Sequence, residues 1–207
     1  MTDYNVAIIG AGIAGASMAS ELASDCSVLL LEAEDQPGYH STGRSAAFWT
    51  ETYGGPKIQP LTTASRQFLE FPDREFSERS FLKPRGAINI ATADQLDLAD
   101  KFITQFEGSG VAMDKWEKDR ILTALPNVQP EWISAVYEPD CCDIDVSGLH
   151  QSYLSDAKKN GVTPNNRARV ESIKWVDGKW HLTTTQGVFV SDRIINAAGA
   201  WADDIAS

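Results

Sequence analysis

The sequence predicts an α/β fold organised around a parallel central sheet, and three observations carry that expectation. The apolar run at residues 5–9 ends in a glycine-rich turn, Gly10-Ala11-Gly12-Ile13-Ala14-Gly15. A second apolar run, residues 27–31, follows after one helix length and ends in Glu32. A third strand-like run, near residue 194, leads into the small residues Ala197-Ala198-Gly199. Short apolar runs bounded by turn residues are the pattern of strands buried on both faces of a parallel sheet.

The first element is the turn. Its G-x-G-x-x-G stands where a strand should become a helix. Gly10 suits the tight turn, Gly12 lets backbone approach a pyrophosphate, and Gly15 permits close helix–sheet packing. The helix is expected to run to about Ser24, with Gly15, Met18, Ala19 and Leu22 as one stripe facing the sheet. Its positive end then points at phosphate oxygens. Glu32 lies 22 positions after Gly10, close to the roughly 20 expected of an acid that grips a ribose hydroxyl. A carboxylate there favours FAD or NAD and disfavours a 2′-phosphate.

The segment after Glu32 and Ala33 is polar and small: Tyr39-His40-Ser41-Thr42-Gly43-Arg44-Ser45-Ala46-Ala47. It suits an extended loop along a phosphate and flavin. Ser41, Thr42 and Ser45 offer hydroxyl donors and Arg44 a charge-assisted fork.

With these residues in place, the chain resembles the D-amino acid oxidase/glycine oxidase superfamily of FAD-dependent oxidoreductases. The stretch from Gln36 to Ala47 looks closest to bacterial D-arginine dehydrogenase and its relatives. The resemblance implies that Gly10, Gly12, Ile13, Ala14, Gly15, Glu32, Ala33, Ser41, Thr42, Gly43, Arg44, Ser45, Ala46, Ala47 and Phe48 lie against FAD. It resumes at residues 194–201, which look like the family's second flavin-domain motif and add Ala198 and Gly199. It also implies a Rossmann-like FAD-binding domain with a parallel central sheet and a β-meander excursion, plus part of an α+β substrate (cap) domain.

The excursion is legible in the residues. Residues 168–173 and 180–184 alternate like antiparallel strands, with Asp177-Gly178 as a hairpin turn and Gln186-Gly187 starting another. By resemblance, Val170 is the position whose backbone meets the adenine. The middle of the chain reads differently. Residues 86–92, 111–116 and 132–137 are expected strands. Residues 93–106 form an expected amphipathic helix with Leu96, Leu98, Ala99, Phe102, Ile103 and Phe106 on one face. Ser147 is expected to cap a helix that Asn160-Gly161 closes. The division that follows is a discontinuous cofactor domain, 1–80 and 146–207, with 81–145 as the first part of the substrate domain.

Composition narrows the function classes. The net charge of −11 repels phosphate backbones and anionic lipid, which argues against nucleic acid as a partner. No apolar run approaches the roughly 18 residues that span a bilayer. Cys26, Cys141 and Cys142 give no disulfide framework and no metal spacing, and are read as reduced thiols of a cytoplasmic protein. His150 and His181 are read as structural, and no metal site is expected.

The resemblance implies the chemistry as well: hydride transfer from a substrate Cα to flavin N5, giving an imino acid that water hydrolyses to a 2-oxo acid and ammonia. The partners implied are a small amino acid or amine and an electron acceptor, either oxygen or a respiratory chain. Thr50 and Tyr53 match family positions on the substrate side. Phe48 and Trp49 replace a histidine and a tyrosine of the arginine-specific relatives, and Gly86-Ala87 stands where those carry a glutamate. A cationic side chain would therefore be buried there without a partner, so a D-amino acid with a non-cationic side chain is expected. The residues that clamp the substrate carboxylate are expected beyond Ser207, leaving these 207 residues catalytically incomplete. Two other readings stay open: a relative that oxidises a 2-hydroxy acid or a secondary amine such as sarcosine, and a cofactor-binding fragment without chemistry.

Overall fold

A computed structural model of the chain describes residues 3–207. Its strands and helices, in order, are β1 (Asp3–Ile9), α1 (Ile13–Leu22), β2 (Val28–Leu31), β3 (Phe48–Trp49), α2 (Gln59–Glu70), β4 (Leu82–Pro84), β5 (Ala87–Ala91), α3 (Leu96–Thr104), β6 (Asp114–Glu117) and α4 (Lys118–Ala124). There follow β7 (Ser134–Glu138), β8 (Cys142–Ile144), α5 (Val146–Lys159), β9 (Pro164–Asn165), β10 (Val170–Val176), β11 (Lys179–Thr184), β12 (Gly187–Asn196) and α6 (Ala202–Ala206). They form two compact units: residues 1–45, 75–77 and 146–207, and residues 46–74 and 78–145.

The first unit is built on a six-stranded sheet of order β10-β11-β12-β1-β2-β9. β12, β1, β2 and β9 run parallel, while β10, β11 and β12 are an antiparallel meander. The expected parallel sheet and excursion are both present. Alternation along β1 and β2 explains the layering. Val6, Ile8, Val28 and Leu30 face one layer with Ala19 of α1 and Ala157 of α5. Ala7, Ile9, Leu29 and Leu31 face the other with Ala168 and Leu182. Fully burying each Leu or Ile contributes about 1.5–3 kcal/mol. The β10–β11 hairpin turns at Asp177 and Gly178, with φ of 50° and 81°, the left-handed pair that a two-residue hairpin requires.

Two local expectations change. α1 buries Gly15, Ala16, Ala19 and Ser20, whereas Met18 is 38% exposed. Ser20 sits inward because its hydroxyl donates to Asp156 Oδ2 on α5 at 2.6 Å. The α5 helix begins at Val146, so Ser147 lies within its first turn rather than capping it. Its end is as expected, with Gly161 at φ +88° just past Lys159.

The second unit holds two antiparallel three-stranded sheets, of order β3-β8-β4 and β5-β7-β6. α3 packs Ala99, Phe102 and Ile103 against Ala91 and Val136. The expected helix at 93–106 is shorter. It starts as a 3₁₀ turn over 93–95, closed by a Thr92–Gln95 capping box, and becomes α-helical only at Leu96. Leu98, expected on its apolar face, is 61% exposed. The strand expected at 111–116 lies at 114–117, and residues 46–80, assigned from sequence to the cofactor domain, mostly group with this unit, since 46–74 and 78–80 fall in it.

Candidate cofactor site

The C-terminal ends of β1, β2 and β12 open onto a cavity of about 220 Å³ in the first unit. This is the edge of a parallel sheet where ligands of such folds bind. The glycine-rich turn makes its floor. Gly10 has φ +101°, and a Cβ there would lie 2.4 Å from the Ala197 carbonyl oxygen. A Cβ on Gly15 would lie 1.8 Å from the Gly10 oxygen. No larger residue fits either position, so turn, helix and β12 approach backbone to backbone.

Glu32 stands at the end of β2, 9% exposed. Its Oε2 accepts the Ala11 N–H and its Oε1 the Glu34 N–H, each at 3.0 Å. An ionised carboxylate has about four acceptor positions, so two remain for a ligand hydroxyl. From the polar loop, Thr42 Oγ1 accepts the Ile13 N–H at 2.9 Å, which ties that loop to the helix N-terminus.

Nine of the residues expected at the cofactor line this cavity: Gly10, Gly12, Glu32, Ala33, Ser41, Thr42, Val170, Ala198 and Gly199. Ile13, Ala14, Gly15, Gly43 and Ser45 belong to the same unit behind that lining. Arg44 also lies off it; its Nε donates to the Tyr39 carbonyl at 3.2 Å and its guanidinium sits 4.7 Å from the Tyr39 ring centre. Ala46, Ala47 and Phe48 fall in the second unit, where the Phe48 ring lies 4.3 Å under the Arg85 guanidinium.

One wall of the cavity is made by pairings that sequence reasoning missed. His40 Nε2 lies 2.9 Å from Glu34 Oε1, and its ring centre is 4.6 Å from that of Trp201. Arg169 approaches Glu34 at 3.9 Å. Ile205, from the last helix, completes the apolar side. None of these pairings leaves a local sequence signal.

Thr50 and Tyr53 belong to the second unit. Thr50 Oγ1 donates to the carboxylate of Glu138, 3.0 and 2.9 Å from its two oxygens. The Glu51 N–H and the Thr52 hydroxyl donate to the same carboxylate, each at 2.8 Å. Tyr53 follows in a turn and is 81% exposed. Cys141 and Cys142 are buried, and burial pushes both thiols above their ordinary value. Among the described residues no helix is long and apolar enough to cross a membrane.

A glycine-lined cradle at the carboxyl edge of a parallel sheet, with an acid at the end of β2, defines a dinucleotide-binding fold. The chain belongs to the family of FAD-dependent oxidoreductases designated DAO, which matches residues 5–207. It is 29% identical over 203 residues to mitochondrial dimethylglycine dehydrogenase of Rattus norvegicus, covering 96% of this chain and 24% of that protein. It is 24% identical to monomeric sarcosine oxidase of Bacillus sp. (strain B-0618), covering all of this chain and 54% of that one. The crystal structure of glycine oxidase from Geobacillus kaustophilus superposes with a TM-score of 0.87 at 24% identity, covering 100% of this chain and 58% of the other. The chain thus spans about a quarter of the dimethylglycine dehydrogenase and little more than half of the two oxidases.

Proposed function

We propose that this chain supplies the cofactor-binding part of an enzyme that oxidises a small amino acid or amine with an uncharged side chain, a D-amino acid being one such substrate. Bound FAD would supply the hydride acceptor for oxidation of a substrate C–N bond to an imine, which water would hydrolyse, a primary amino acid giving a 2-oxo acid and ammonia. The observation that carries the reading is the cradle: Gly10, Gly12 and Gly15 leave backbone room for a pyrophosphate, and Glu32 keeps acceptor positions for a ribose. Here Glu32 orients the nucleotide, Thr42 fixes the phosphate loop against α1, and Val170, Ala198 and Gly199 present backbone to the cofactor.

The substrate class rests on two supports. Relatives are named for dimethylglycine, sarcosine and glycine, none with a cationic side chain. Gly86 and Ala87 provide no carboxylate at the position where an arginine-specific relative has one. A secondary amine such as sarcosine is the second reading, favoured by the sarcosine oxidase likeness over the full length of this chain. The test is anaerobic flavin bleaching of the whole enzyme with glycine, sarcosine, dimethylglycine, D-alanine, D-leucine and D-arginine. Bleaching by one or more of the uncharged compounds and little by D-arginine is the expected result. D-arginine reacting as fast as D-leucine overturns the substrate class, and a bound flavin that none of them reduces overturns the enzyme.

A further inference from the structure

The glycine-rich turn is gripped from two sides at one residue. The N–H of Ala11 donates to Glu32, and its carbonyl oxygen lies 2.9 Å from Nε2 of His150. Ala11 is 0% exposed and His150 3%. A carbonyl only accepts, so Nε2 carries the proton and donates it. The same imidazole meets the second loop of the cradle: a Cβ on Gly38 would lie 2.9 Å from His150 Cε1. One buried ring on α5 thus underlies both loops.

The consequence runs through one peptide plane. In a trans peptide the C=O and the following N–H point in opposite directions. Holding the Ala11 carbonyl toward His150 therefore turns the Gly12 N–H the other way. Gly12 lines the cavity and caps α1, and among the described residues its N–H has no protein acceptor. If the Ala11 carbonyl swung into the cavity instead, it would set a partial negative charge where phosphate oxygens must sit.

We propose that His150 is a positioning residue for the cofactor's pyrophosphate, holding the Ala11–Gly12 peptide so that the Gly12 N–H is offered to a diphosphate; this rests on the FAD reading of the cavity. The role differs from filling space, because it concerns phosphate and leaves adenosine recognition by Glu32 and Val170 untouched.

Titration of the chain with FAD, ADP and adenosine tests it. His150→Gln keeps an N–H donor of similar reach, whereas His150→Leu fills the volume without one. Loss of one hydrogen bond that orients a phosphate donor predicts that His150→Leu binds FAD and ADP about tenfold more weakly or worse, with adenosine within about twofold of the wild type. His150→Gln is expected within about threefold for all three ligands. If circular dichroism shows His150→Leu unfolded, His150→Asn, whose amide stops short of the Ala11 carbonyl, is held to the same outcomes. Equal weakening toward ADP and adenosine overturns the inference, as does unchanged ADP binding. A wild-type chain that binds none of the three ligands overturns the cofactor reading itself, and this inference with it.

Discussion

Thr50 and Glu138, 88 positions apart, share a partly buried hydrogen bond of 2.9 Å. Glu138 is 1% exposed, and every partner it has among these contacts is a neutral donor on residues 50–52. Its carboxylate is the peg on which the segment leading to Tyr53 hangs. Glu138→Leu strands two hydroxyls and one backbone N–H. Each buried donor left unpaired costs on the order of 1–3 kcal/mol, so a fall in Tm of many degrees is expected by circular dichroism. Glu138→Gln keeps an acceptor and should lose much less; equal losses would refute the peg.

Glu32 is the second carboxylate with a defined task. Glu32→Gln replaces one acceptor oxygen by a donor, which then faces either the Ala11 or the Glu34 N–H. A penalty of about 1–3 kcal/mol is expected, together with weaker FAD binding in a fluorescence-quenching titration. Binding equal to that of the wild type would show that the ribose is held elsewhere.

Gly15→Ala places a methyl 1.8 Å from the Gly10 oxygen. The helix must move away from the turn, and overpacking of this kind costs about 1–3 kcal/mol. Both thermal stability and FAD affinity should fall.

Cys141 and Cys142 have thiols raised by burial, which lowers the thiolate fraction at any given pH. Native protein at pH 8 should therefore modify these two slowly with a disulfide reagent, and unfolding in denaturant should release both at once. Mass spectrometry of the labelled peptides reads the outcome. Rapid native labelling at either position would contradict their burial.

Lys179 ties the first unit's sheet together at the surface, 2.5 Å from Asp3 and 3.1 Å from Asp192. Its pKa is raised above 10.5 by the hydrogen bond to Asp3 first and then that to Asp192. Asp192 is lowered from 3.8 by the hydrogen bond from Lys179 first and then that from Asn5. A raised lysine contributes stability that is lost as pH rises through its folded value, and a lowered aspartate contributes stability that is lost as pH falls through its own. Lys179→Met should therefore lower Tm slightly between those limits, with the difference closing at both extremes and in high salt. A pH-independent difference would assign the effect to packing.

How much could be read in advance follows from sequence distance. The β1–turn–α1–β2 unit and Glu32 are encoded within a few dozen residues, and the Asp177-Gly178 hairpin within two. Met18 was misplaced because the buried face of α1 is the one carrying Ala16 and Ser20, the latter turned inward to a distant carboxylate, Asp156. Residues 46–74, read from sequence with the cofactor domain, group with the second unit, where the two-residue β3 pairs with Cys142 and Asp143. Two residues carry no periodicity. The cavity wall of Glu34, His40, Arg169 and Trp201 joins three separate segments, and only folding brings them together.

The pairing of β1 with β12 has one more consequence. Asp3 is matched to Val190 and Ile9 to Asn196, so β1 pairs with a strand made long after it. At ribosomal rates of about 5–20 residues per second, β1 and β2 wait on the order of ten to forty seconds for that partner. In the interval an apolar two-stranded ribbon has an open edge, the kind of surface that recruits chaperones or aggregates. Slow, chaperone-sensitive biogenesis is thus written into the strand order.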